Sequence, residues 1–221
     1  MESYPPFNVY KNIPAFLETR KLKTNHKFQD YEEFIKTIQY ENNITVIAED
    51  SSDKIRRFFP PFPIEKIKDK KIITMIIIMG LEDNYVKKTS DFLKFINNKI
   101  RKYKDILDII IITNNLLNTN IVKRIYEDIT NRDIPMRIVF YPYDKFKINQ
   151  MKHKLSAIHE IMSEEEEKNL LERGRINKNQ LPKIVSSDAK CIWIGGEPGE
   201  IIRIISKTEI SLERYSYRLV C

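Results

Sequence analysis

The chain has 221 residues, of which 42% are hydrophobic and 31% charged, and its net charge is +7. That is enough apolar material for an ordinary core in one or two domains. No apolar run approaches the roughly 18 residues of a membrane span, the N-terminal MESYPPFNVYKN has no signal-peptide layout, and Cys191 and Cys221 give neither a disulfide framework nor zinc-ligand spacing. A soluble, intracellular protein in a reducing compartment is expected.

The first two-thirds of the chain alternate between helical and strand signals. Helical periodicity covers Asn12–Lys23 and Asp30–Tyr40, Ile44–Ala48 reads as a strand, and Ile72–Met79 as a buried strand. Between these strands, Lys54–Lys71 carries seven Lys+Arg against two acids and is broken by Pro60, Pro61 and Pro63, the pattern of an exposed basic loop. Lys87–Lys104 holds seven Lys+Arg and one acid. Its Phe92, Phe95, Ile96, Ile100 and Tyr103 recur at helical spacing, which predicts an amphipathic helix with a lysine-rich outer face. Ile106–Thr113 and Met136–Tyr141 are two more buried strands, and Asn120–Ile129 is a helix between them. Strands with continuous isoleucine runs are usually covered on both faces, so a three-layer α/β arrangement is expected for residues 1–149.

Charge is unevenly divided. Residues 150–221 hold 12 Lys+Arg against 11 Asp+Glu, which leaves 26 against 20 for residues 1–149. A basic face of this kind can neutralise phosphates without reading sequence, or it can be the solvated surface of a lysine-rich chain.

Residues 150–221 read as an ordered series of caps, turns and short strands. A strand over Leu155–Ile161 is followed by Ser163, which with Glu166 forms a capping box. Glu164 to Glu167 complement the helix dipole in the first turn, and Gly174 stops the helix. Gln180-Leu181-Pro182 enforces extended backbone, Asp188 caps a short apolar helix through Trp193, and Gly195-Gly196-Glu197-Pro198-Gly199 is a turn. Strands at Glu200–Ile205 and Tyr215–Val220 close a small mixed α+β domain.

On these residues the chain resembles subunit 5 of eukaryotic-type DNA-directed RNA polymerases, whose C-terminal part corresponds to a small archaeal polymerase subunit. The shared pattern appears as His153, Leu155 and His159; Ser163; Gln180-Leu181-Pro182; Asp188; Gly195 and Gly199; Thr208-Glu209; and Tyr217-Arg218. It departs from cellular members at Ser156-Ala157-Ile158, after Asp188, where a proline is missing, and at Leu212, where a glycine is customary. The turn from Trp193 to Gly199 looks like the form found in large nucleocytoplasmic DNA viruses.

The resemblance implies a non-catalytic polymerase subunit with no cofactor, metal or small-molecule ligand and no membrane association. Residues 1–149 would form an α/β jaw domain lying near downstream double-stranded DNA, which it would bind weakly and without sequence preference. Residues 150–221 would form an assembly domain docked on the largest subunit through His159, Leu181, Pro182, Asp188, Gly195, Gly199, Glu209, Tyr217 and Arg218. Lys87, Lys88, Asn118 and Thr119 are the DNA-proximal candidates. A viral source would place the protein in the virion and host cytoplasm, a cellular one in the nucleus.

Two other function classes stay open on the residues alone. One is a free-standing basic nucleic-acid-binding protein, for which Trp193, Tyr215 and Tyr217 offer a stacking platform unless they pack the small domain or its partner surface. The other is a metal-dependent nuclease built on Asp105 and Asp108. No second acidic-x-Lys element accompanies that pair, so both read as solvated residues at a strand edge. His26, His153 and His159 have no Ser or Cys partner in a catalytic arrangement, and the latter two are expected to make structural hydrogen bonds.

Overall fold

The computed structural model describes residues 4–50, 73–81, 89–102, 106–114, 119–130, 137–152, 156–206 and 213–221. The basic loop at 54–71 and the residues Lys87, Lys88, Asp105, Asn118, His153, Leu155 and Glu209 lie outside them. The chain divides into two units, Met1–Ile148 and Asn149–Cys221.

In the first unit, helix α1 spans Pro5–Thr19, seven residues ahead of the predicted Asn12 start. Pro5 and Pro6 occupy its first positions, where the missing N–H groups would be unpaired anyway. Val9, Tyr10, Ile13, Phe16 and Leu17 form its buried stripe. Lys21, with φ 59°, ends this region, and Leu22–Lys23, predicted as helix, is instead a short strand, β1, because it finds partners at Asp50 and Glu49 of the strand Asn43–Asp50. Helix α2, Tyr31–Glu41, begins where the Asp30 side chain accepts the Glu33 N–H at 3.0 Å.

Five strands make one mixed sheet in the order β1-β2-β3-β4-β5. Strand β2 (Asn43–Asp50) runs antiparallel to β3 (Ile73–Met79), while β3, β4 (Ile106–Thr113) and β5 (Arg137–Pro142) are parallel. Parallel neighbours need right-handed crossovers, and both connections advance the same way across the sheet. Helices α3 (Thr89–Lys102) and α4 (Thr119–Thr130) therefore share one face, where Phe92, Ile96 and Ile125 pack against Met75, Ile77, Ile109, Ile111 and Ile138. The alternate residues Ile76, Ile78, Ile110 and Ile112 are just as completely buried. They face the other way, where α1 packs against β3, and α2 against β2 and α1. Each such isoleucine contributes about 1.5–3 kcal/mol of burial.

Asp108 corrects one expectation. It is not a solvated residue at a strand edge but a buried one, with Arg137 Nη1 at 3.3 Å from Oδ1 and the Thr74 hydroxyl donating to Oδ2 at 3.5 Å. Thr74, Asp108 and Arg137 are register partners across β3, β4 and β5. The carboxylate is thus held by a cation from the neighbouring strand, a geometry that closes it to a metal ion. Among the described residues, no group of three or more His, Cys, Asp or Glu could hold one.

The second unit is a four-stranded sheet in the order β6-β8-β9-β7, from β6 (Ile158–Ile161), β7 (Lys183–Ile184), β8 (Ile201–Ser206) and β9 (Arg214–Val220). Helix α5 (Glu164–Gly174) covers one face and α6 (Ala189–Ile194) the other. Under α5, Leu170, Leu171 and Ile176 pack with Met162, Leu181, Ile201, Leu219 and Tyr217. Under α6, Cys191 and Ile194 pack with Ile161, Ile184, Ile202, Ile204 and Val220.

The caps act largely as their sequence suggests. Both hydrogen bonds of the Ser163–Glu166 box are present. Gly174, however, is the last helical residue rather than the stop. Arg175 takes the left-handed conformation at φ 48°, and Ile176 N–H returns to Leu171 O at 3.2 Å while their side chains join the same apolar cluster, the bonding and packing of a Schellman turn. Among the four glutamates, Glu167 does more than complement a dipole. It is buried, and its carboxylate accepts the Ile201 N–H at 2.9 Å and the Lys178 ammonium at 2.7 Å.

Candidate functional site

The motif residues of the second unit fall into two groups. Leu181, Gly195 and Gly199 build shape. Leu181 is extended before Pro182 and buried under α5. Gly195 closes α6 at φ 76° and Gly199 sits at φ 93°, conformations that L side chains adopt at a cost. No atom lies within 4 Å of a Cβ built on Gly199, so the backbone angle alone calls for glycine there. Tyr217 is half-buried in the cluster under α5, and Pro182, itself exposed, accepts the Leu219 N–H at 2.9 Å through its carbonyl.

His159, Asp188 and Arg218 make the second group, on the α6 side. His159 pairs with Ile204 of β8, and Arg218 with Ile202 two residues along, so both side chains leave the same face of the sheet. Asp188 caps α6, accepting Lys190 N–H at 2.9 Å and Cys191 N–H at 3.3 Å. The structure adds Lys190, which no sequence motif marks. Its ammonium reaches 33 residues back to the Ala157 carbonyl at 3.0 Å, the same oxygen that His159 Nδ1 approaches at 3.0 Å.

A ring nitrogen facing a carbonyl must carry the proton, so Nδ1–H is the donor and Nε2 keeps a lone pair. Burial pushes the His159 pKa down; the Ala157 hydrogen bond and Asp188 oppose this, and Lys190 and Arg218 add to it. The Lys190 pKa is likewise lowered by burial, against the pull of Asp188. Arg218 Nη1 donates to Lys183 O at 3.2 Å and the rest of the side chain is exposed.

The α5 side is chemically different. Arg203 bonds Glu160 at 2.8 Å and Glu166 at 2.9 Å. The Ser163 N–H first, and then Arg203, hold the Glu166 carboxyl below its ordinary range. Beyond this network lie Ile158, Ile205 and Tyr215, which are register neighbours across β6, β8 and β9. Trp193 is fully buried and offers no stacking face, whereas Tyr215 is half exposed and takes no part in the core.

In the first unit the described candidates are sparse. Thr119 opens α4. On the outer side of α3 and α4, Lys94, Arg101, Lys123 and Arg124 are exposed. Lys99 departs from the expected outer face: its ammonium donates to the Thr45 hydroxyl at 3.0 Å and lies 5.6 Å from the Phe95 ring centroid. Among the described residues no helix is long and apolar enough to cross a membrane.

The family model described as RNA polymerase Rpb5, C-terminal domain, matches residues 148–220. The chain is 45% identical over 76 residues to the DNA-directed RNA polymerase subunit Rpo5 of Pyrococcus abyssi, which covers 34% of this chain and 93% of that protein. It is 35% identical over 74 residues to the Rpo5 subunit of Methanococcoides burtonii, 34% of this chain and 95% of that protein. With the DNA-directed RNA polymerase RPB5 homolog of African swine fever virus it shares 28% identity over 151 residues, 67% of this chain and 73% of the viral one, a stretch too long to lie within the second unit.

Proposed function

Because the chain belongs to the Rpb5 family of DNA-directed RNA polymerase subunits, we propose that it serves as a non-catalytic subunit of a multisubunit polymerase, docked through residues 149–221 on the largest subunit. The observation that carries this reading is the match to archaeal Rpo5, which covers 93% of that protein, together with the family model over residues 148–220, which coincides with the second unit. That unit is built from caps, positive-φ glycines and two apolar clusters, with an exposed rim of polar side chains, an architecture suited to presenting a surface.

The first unit, in this reading, lies near the downstream duplex and biases it electrostatically. Phosphate contacts position a protein on DNA without specifying bases, and the exposed Lys94, Arg101, Lys123 and Arg124 are of the right type. Nucleotide and Mg²⁺ chemistry then belongs to the large subunits. A relative in African swine fever virus favours a viral source, with the virion and host cytoplasm as the place of work.

Affinity purification of the tagged full chain from its source tests the proposal. Stoichiometric recovery of the large polymerase subunits is expected, and their absence would overturn it. The isolated chain should bind duplex DNA weakly; tight binding with a steep salt slope would favour a free-standing nucleic-acid-binding protein instead.

A further inference from the structure

Cations on a folded surface usually find carboxylates, and on the α5 side of the second unit they do. Arg203 holds two glutamates, and Lys178 holds Glu167. On the α6 side the pattern breaks. Among the described residues neither Lys190 nor Arg218 makes an ion pair; each is anchored by a backbone carbonyl, Ala157 O for the lysine and Lys183 O for the arginine. A carbonyl fixes the position of a cationic group and leaves its charge uncompensated. Among the described residues Asp188 is the acid that acts on Lys190, and its Oδ1 already accepts two N–H groups at the start of α6.

Lys190 is half-buried, so its charge is kept at a cost that a partner carboxylate would relieve. The remaining guanidinium N–H groups of Arg218 and two ammonium N–H groups of Lys190 offer directed donors, and His159 Nε2 offers an acceptor on the same sheet face. We infer that this face, formed by Lys190, Arg218 and the ring edge of His159, receives an acidic segment of the polymerase subunit on which the chain docks. This rests on the docking reading above and adds the chemistry of the partner's side.

A protein carboxylate fits better than a nucleic acid. Polyanion binding draws on an extended basic field, and this unit is nearly neutral, with 12 Lys+Arg against 11 Asp+Glu over residues 150–221. Two cations fixed by backbone carbonyls suit one or two carboxylates at defined positions. A hydrogen-bonded charge pair removed from water on docking depends strongly on both partners.

The test uses the full chain co-expressed with the largest polymerase subunit from the same source, with retention measured across a salt series. Wild type is expected to be retained and Arg218→Lys to keep most of the affinity. Arg218→Glu, alone or with Lys190→Met, should weaken binding at least tenfold at low salt. Lys168→Glu, an exposed charge reversal on α5, serves as the control and should change nothing. Arg218 is exposed, so its single variant folds even if Lys190→Met does not, and circular dichroism checks this.

Failure of wild type to be retained would bring down the docking reading itself. Retention of wild type and Arg218→Glu alike would overturn only the acidic-segment inference. Loss of duplex DNA binding by Arg218→Glu, with subunit retention intact, would overturn it too and make nucleic acid the occupant.

Discussion

The two units bury their sheets by different means. The first surrounds four adjacent strands with helices and fills both faces with Ile, Met and Phe, so its order comes from apolar bulk. The second has a smaller sheet and relies on directed bonds: the Ser163–Glu166 box, Glu167 reaching the Ile201 amide, Asp188 capping α6, and glycines at positive φ. Bulk constrains composition, because one aliphatic side chain can replace another of similar volume. A hydrogen bond to a particular amide constrains identity. The family model falls on residues 148–220, which hold all of these bonds of the second unit.

Five substitutions or conditions break or sharpen that contrast. The largest effect belongs to the exception in the first unit. Arg137→Leu leaves Asp108 buried without its cation and should cost about 3–5 kcal/mol by denaturant unfolding, whereas replacing Asp108 and Arg137 together by apolar residues of similar volume should recover most of it. Ile77→Ala should cost about 3 kcal/mol and Ile77→Val about 1, the graded response of a site held by packing. Glu167→Gln keeps the size of the side chain but loses the charge that its two partners require. About 2 kcal/mol should go from the second unit, read as faster amide exchange at Ile201.

Acid should weaken both units through one histidine each. Gln29 N–H donates to the Tyr10 hydroxyl at 2.8 Å, and that hydroxyl shares a hydrogen bond with His26 Nε2 at 3.1 Å. Burial lowers the pKa of His26, as it does that of His159. Both folded values lie below the unfolded one, so the unfolded chain takes up protons first. The associated stability is complete above about pH 6.5 and is lost as pH falls through the folded values. Thermal melts at pH 7.5 and 5.5 should show the drop, and His26→Gln with His159→Gln should flatten it. The smallest effect is a gain: Arg175→Gly relieves a left-handed residue and should add about 1 kcal/mol.

What could be read in advance follows the same division. The isoleucine strands and the amphipathic α3 were legible because periodicity is local. The caps at Ser163 and Asp188 were legible because cap and donor lie within three residues of each other. Contacts between distant segments were not legible. Leu22–Lys23 continues a helical pattern and becomes strand only because β2 offers it partners. Asp108 looks like a surface acid until Arg137, 29 residues on, is placed beside it. Lys190 is one lysine among many until its ammonium is found on Ala157 O. Gly174 drew the helix stop by residue type, while the chain turns one residue later, where Ile176 can join the apolar cluster.

The strand order β6-β8-β9-β7 also sets a sequence of events in time. β7 leaves the ribosome before β8 and β9, yet among the described residues the strand it pairs with is β9, with Lys183 beside Leu219 and Ile184 beside Val220. Until Arg214–Val220 has been synthesised, the segment that carries Leu181 and Pro182 has no ladder to join. A nascent chain halted after Ser206 could pair β6 with β8 but would leave β7 adrift, so the sheet of this unit is completed only once β9 has formed.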